Sequence, residues 1–136
     1  MNRVIHFEIH AIDPDKLSKF YSGVFGWKFK EWKLVGVKPE NRYWNVLTAP
    51  EKSKEPGING GMVMRRGKAP KGGEPVTAFV CTIGVESVDA ALRKITKAGG
   101  KNVVPKMAVP GMAWLAYCAD PEGNTFGIFE MDKKAK

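Results

Sequence analysis

The chain repeats itself, and this limits its fold more than any other feature. A constant offset of 74 residues sets Ile9 on Ile83, Asp15 on Asp89 and Gly26 on Gly100, with no gap between them. Further on, "APE" at 49–51 matches "DPE" at 120–122, and Gly61 matches Gly127. A period this long is no solenoid repeat; it marks a supersecondary unit of about 60 residues present twice. Each copy carries signals for a strand, a helix and three further strands. A four-stranded sheet with one helix covers only one of its faces, so the second face must meet a partner sheet or line a cavity.

The local signals give each element a cause. "VIHFEIH", Val4 to His10, alternates: Ile5, Phe7 and Ile9 take one face, and His6, Glu8 and His10 the other. A period of two predicts a strand. In "DPDKLSKFYSGVFGW", Asp13 caps a helix and Pro14 suits its first turn. Leu17, Phe20, Tyr21, Val24 and Phe25 form its apolar stripe, and Gly26 stops it. Strands are predicted near Trp27–Val35, over "YWNVLTAP" and over "NGGMVMR". "RGKAPKGGEP" reads as a linker. The pattern then restarts with "TAFVCTIGV" as a strand and a helix capped by Ser87, with Val88, Ala91, Leu92 and Ile95 inward and Gly99–Gly100 as its stop. "KNVVPKMAV", "AWLAYCAD" and "TFGIFEM" follow as strands, the last two joined by the turn "DPEGN". The expected layout is one α+β domain: a first βαβββ module at 4–65, a linker at 66–77 and a second module at 78–131.

Composition excludes several classes. The 136 residues carry a net charge of +8, which favours anionic partners through the long-range field. The lysines are scattered and accompany no nucleic-acid-binding motif. No run approaches the ~18 apolar residues of a membrane span, and the N-terminus has no apolar core of a secretory signal. A cytoplasmic location without nucleic-acid or membrane partners is expected. Cys81 and Cys118 both sit in apolar, strand-like runs and read as reduced core thiols.

The motifs "HFEIHAIDPDKLSKFYSGVFGW", "PGINGGMV" and "ADPEGNTFGIFE", in this order on an internal repeat, resemble the vicinal-oxygen-chelate superfamily of glyoxalases, bleomycin-resistance proteins and extradiol dioxygenases. They are most similar to its branch of predicted enzymes related to lactoylglutathione lyase. The resemblance spans about Val4 to Met131. It implies two βαβββ modules whose sheets curve around a shared cleft, and a homodimer. It also implies four metal ligands, from the first and last strands of each module. Carried onto this chain, those positions are His6, Gly61, Val80 and Gly127. Valine has no lone pair to give and glycine no side chain, and one imidazole falls short of the three or four protein ligands of an ordinary site. The expectation is therefore no metal and no cofactor.

What remains is a ligand pocket. If His6 faces the cleft, the period of two sets Glu8 and His10 beside it. In relatives a residue at the His10 position helps hold an anionic group of the substrate. His6, Glu8, His10, Gly61, Thr82, Trp114, Gly127 and Phe129 are the candidate ligand-binding residues, the glycines leaving room for ligand volume. Whether Trp114 or Leu115 turns inward depends on a strand register the residues do not fix. "HFEIH" has two other readings: a solvated strand face, or a different metal site built from His6, Glu8 and His10.

The favoured function is a member of this superfamily with a degenerate metal site that binds a small anionic organic molecule. If it is an enzyme, it is lyase- or isomerase-like and metal-independent. The alternatives are a metal-dependent lyase, isomerase or dioxygenase with relocated ligands, and a non-catalytic ligand-sequestering or interaction domain.

Overall fold

The computed structural model describes residues 3–4, 6–33 and 35–136. Ile5, which the alternation sets beside Phe7 and Ile9, lies outside them, as does Leu34 of the predicted second strand. The chain divides into two compact units, Met1–Ala69 and Pro70–Lys136, each with its own sheet and helix.

The first unit runs β1 (Glu8–Ala11), α1 (Pro14–Phe25), β2 (Lys28–Glu31), a short 3-10 turn (Pro39–Asn41), β3 (Tyr43–Leu47) and β4 (Gly60–Met64). Its sheet has the order β1-β4-β3-β2, with β1 parallel to β4 and the other pairs antiparallel. The Asp13 carboxylate accepts the Lys16 N–H at 3.0 Å and opens α1. Gly26 closes it at φ 73°, its N–H donating to the Ser22 carbonyl. The apolar stripe buries Leu17, Phe20 and Tyr21 with Ile9, Ala11, Trp44, Val46 and Met62 of the sheet. Full burial of Leu17 alone contributes on the order of 2 kcal/mol. Tyr21 stacks on Trp27 at 5.2 Å between ring centroids, which anchors the chain as it leaves the helix.

The second unit follows the same plan: β5 (Thr82–Gly84), α2 (Val88–Lys97), β6 (Lys101–Val109), β7 (Ala113–Ala119) and β8 (Thr125–Met131), in the order β5-β8-β7-β6. The Ser87 hydroxyl accepts the Ala90 N–H at 3.2 Å, and the Glu130 carboxylate accepts the Val88 N–H at 2.7 Å. Two of the four unpaired N–H groups at the start of α2 are thus satisfied. Val88, Ala91 and Ile95 are buried, as are Ala116, Cys118, Phe126 and Ile128 of the sheet.

The duplication holds to the level of residue pairs. Glu8 faces Gly61 across β1 and β4, and Thr82 faces Gly127 across β5 and β8. Ile9–Met62 and Ile83–Ile128 follow, then His10–Val63 and Gly84–Phe129. The two parallel ladders are the same ladder, built twice.

Several strands are shorter than the alternation predicts. β1 begins at Glu8 rather than Val4, β2 ends at Glu31, and β5 spans three residues of the predicted "TAFVCTIGV". Val4, Trp32, Val35 and Phe79 are exposed, so these apolar runs lack the burial that would extend the ladders.

Cys81 departs from its reading too. It is exposed, and only Cys118 is buried. Burial pushes the Cys118 thiol above its ordinary range, against a smaller opposing effect of the Asn102 amide. A thiol kept protonated is a poor nucleophile. Iodoacetamide at pH 8 is therefore expected to alkylate one cysteine, Cys81, in the folded protein and both in denaturant. Labelling of Cys118 at the rate of a free thiol would contradict its placement in the core.

Candidate functional site

The face of the first sheet turned away from α1 carries the polar half of the opening motif. Glu8 and His10 are exposed while Ile9 and Ala11 are buried. Register extends this face across the strands. Glu8, Gly61, Asn45 and Lys30 form one row, and His10, Val63 and Tyr43 the next.

Gly61 sits at the centre of the first row, and a methyl group there would run into the hydroxyl oxygen and ring of Tyr43. The tyrosine therefore leans out of its own row and lies across the glycine. Its hydroxyl ends 3.1 Å from Nε2 of His6, which precedes β1. The Trp32 and Tyr43 rings meet edge to face, 5.7 Å between centroids and at 62°. Burial pushes the phenol pKa up, and the negative charge of Glu8 adds to the shift. The hydroxyl is thus kept in its protonated form. The sequence reading gives the space over Gly61 to a ligand; in the structure Tyr43 fills it.

Beside Tyr43 is a cavity of about 400 Å³, within the range of small-molecule sites. It is lined by the row His10, Val63 and Tyr43, by Glu40, Asn41 and Arg42 from the 3-10 turn and the residue after it, and by Met64 and Arg66. Arg42 and Arg66 bring two guanidinium groups to it, and Glu40 a carboxylate. Arg42 is committed: it grips Glu31 through two hydrogen bonds of 2.8 and 3.2 Å and lies 4.6 Å over the Trp44 ring. The same bonds hold the Glu31 carboxyl below its ordinary range. Arg66 donates one N–H to Asn41 at 3.0 Å, leaving a fork geometry suited to a carboxylate. Arg42, Arg66 and the 3-10 turn were not among the sequence candidates. Their signal was present in "PENRYW" and "RR", but no periodicity connects two segments that only the sheet brings together.

In the second unit Thr82, Gly127 and Phe129 share a face, with Leu115 and Tyr117 as their β7 neighbours. Thr82 stands over Gly127 much as Tyr43 stands over Gly61: its Oγ1 lies 2.8 Å from where a Cβ would be. Trp114 is separated from this group. It pairs with Glu130 and falls on the helix-covered face, where Lys106 sits 4.6 Å over its ring and its indole N–H donates to Asp132 at 3.0 Å. Leu115, not the candidate Trp114, shares the face of Gly127 and Phe129, which fixes the register that the sequence left open.

These residues do not fit a resident divalent ion of the kind the resemblance implies. In the first unit the neighbour of His6 is a phenol hydroxyl over a glycine, and in the second Val80 and Gly127 offer no donor. Among the described residues no three His, Cys, Asp or Glu side chains are grouped so as to hold a metal ion. His6, Glu8 and His10 in particular form no such group. Among the same residues no helix is long and apolar enough to cross a membrane.

Comparison with known proteins places this geometry in context. The family model described as Glyoxalase/Bleomycin resistance protein/Dioxygenase superfamily matches residues 3–128. A glyoxylase-like domain-containing protein from Didymella fabae is 31% identical over 122 residues, covering 89% of this chain and 88% of its own. Among solved structures, a glyoxalase I mutant from Zea mays superposes with a TM-score of 0.71 at 20% identity, over 94% of this chain and 45% of the maize chain. A glyoxylase/bleomycin resistance protein/dioxygenase domain from Frankia sp. EAN1pec gives 0.68 at 16% identity, over 97% and 99%. This chain thus spans less than half the length of the maize protein, and the likeness to both structures is one of fold.

Proposed function

Because the chain belongs to the Glyoxalase/Bleomycin resistance protein/Dioxygenase superfamily, we propose that it keeps the family scaffold without the family metal and binds a small anionic organic molecule on the open face of its first sheet. The observation that carries this reading is the Tyr43 phenol lying over Gly61 against His6. An ion at that place would have to displace the phenol and would then find one imidazole. In the cavity beside it Arg66 and His10 stand with the apolar Val63, which supplies what a small carboxylate needs: a charged fork and an apolar wall that sheds water. In this reading the protein acts as a cytoplasmic homodimer with small-molecule partners. Any reaction it catalyses is of lyase or isomerase type and uses side chains rather than a Lewis acid.

A thermal-shift titration with pentanoate tests the binding. A ligand that binds the folded state raises stability by mass action, by about 2.7 kcal/mol at one hundred times Kd. Arg66→Ala and His10→Ala are each expected to weaken binding about tenfold, or ~1.4 kcal/mol, and EDTA is expected to change nothing. A stoichiometric transition metal in the untagged, purified protein would sink the metal-free reading. An unchanged midpoint at tens of millimolar pentanoate would sink the binding one. Turnover assays on whatever binds then separate an enzyme from a sequestering protein.

A further inference from the structure

We infer that Tyr43, oriented by His6, receives a neutral carbonyl oxygen of the ligand whose carboxylate lies at Arg66 and His10, so that the ligand class is a small oxo acid. The inference rests on the binding reading above and adds the second point of recognition.

The argument begins with one proton. A phenol has a single O–H to give, and an imidazole Nε2 either donates or accepts according to its tautomer. With no ligand, the 3.1 Å contact is served by either direction. When an acceptor arrives at the phenol, the arrangement that satisfies every group is a chain. His6 Nε2–H donates to the Tyr43 oxygen, and the Tyr43 O–H donates to the ligand. Hydrogen bonds aligned in this way polarise one another, which strengthens the outer one.

The surroundings select the acceptor. Glu8 shares the face with Gly61 and its charge is felt at the phenol. A second full negative charge on the face that Glu8 occupies is disfavoured by like-charge repulsion. A neutral carbonyl takes the same hydrogen bond without that repulsion. The anionic end of the ligand belongs instead to the cavity that Tyr43 itself borders, where Arg66 and His10 stand. Gly61 is what lets the phenol lie this low, since any side chain there would push it out of reach of His6.

The test compares 4-oxopentanoate with pentanoate, which differ by one carbonyl, in calorimetric titrations of the full chain. Wild type is expected to bind the oxo acid about tenfold more tightly. Tyr43→Phe keeps the ring over Gly61 and is expected to abolish that preference, the two acids then binding about equally. His6→Ala is expected to remove most of the preference and His6→Gln, which still presents an N–H, to restore part of it. The double variant Tyr43→Phe/His6→Ala should discriminate no worse than Tyr43→Phe alone, because His6 acts through the phenol. A tenfold preference that survives Tyr43→Phe, or equal binding of both acids to wild type, overturns this inference and leaves carboxylate binding standing. If neither acid binds wild type, the binding reading and this one fall together.

Discussion

Asp120→Ala is expected to destabilise the protein by about 2–4 kcal/mol, an effect large for one polar side chain. Asp120 is 3% exposed, and its carboxylate is the hub of the β7–β8 turn. Oδ1 accepts the N–H groups of Glu122 at 2.8 Å and Asn124 at 3.0 Å, and Oδ2 accepts the Asn124 amide at 2.7 Å. The backbone closes the same turn, with Asp120 N–H to the Asn124 carbonyl and Gly123 N–H to the Asp120 carbonyl. Alanine removes one acceptor group and strands three donors, two of them main-chain N–H groups that the turn holds away from solvent. The midpoint of thermal unfolding is expected to drop by roughly 10 °C. Asp120→Asn keeps an oxygen for the backbone donors and turns an amide toward Asn124, so its loss should be about half as large. Denaturant titrations of both variants decide the matter; a loss below ~1 kcal/mol for the alanine variant would show that water replaces the carboxylate freely.

Gly61→Val provides the second large effect, and its sign is the informative part. In an ordinary strand, exchanging glycine for a β-branched residue is favourable, because glycine forfeits entropy and packs nothing. Here the new side chain meets Tyr43, and the expected outcome is a loss of about 1–3 kcal/mol from overpacking. The clash is with the far end of one side chain, so it should vanish when that side chain is shortened. In a Tyr43→Ala background Gly61→Val is expected to be neutral or stabilising, giving a coupling between the two sites of at least ~1 kcal/mol. Additive effects would mean that Tyr43 does not occupy the space over Gly61 in solution.

Much of the scaffold was legible because its signals are local or periodic. The helices announce themselves through Asp13, Pro14 and Ser87: the capping bonds of Asp13 and Ser87 form as expected, and Pro14 takes the first helical position. The repeat offset anticipated which residues of the parallel ladders correspond, and the pairs Glu8–Gly61 and Thr82–Gly127 agree with it. Strand ends were over-read where apolar runs such as "TAFVC" continue past the last backbone partner. The site was less legible. That Gly61 leaves room could be read from the residue alone; that Tyr43, from the adjacent strand β3, fills the room depends on packing that no pattern encodes. Trp114 is a different case. Alternation along "TFGIFEM" sets Gly127 and Phe129 on one face, but the face of β7 hinges on how many residues the "DPEGN" turn spends before pairing resumes. Ala119 pairs with Thr125, and this single fact turns Leu115 toward Phe129 and sends Trp114 to the opposite side.

The twin ladders have an evolutionary corollary. Each copy secures its own helix and sheet with its own caps and buried contacts, so mutations on the outward surface of one leave the framework of its sibling intact. Glu8 and Thr82 stand at equivalent addresses yet differ in charge, and His10 carries a hydrogen-bonding ring where Gly84 has no side chain. A doubled gene of this kind can retune chemical selectivity in one half while the other preserves the ancestral architecture.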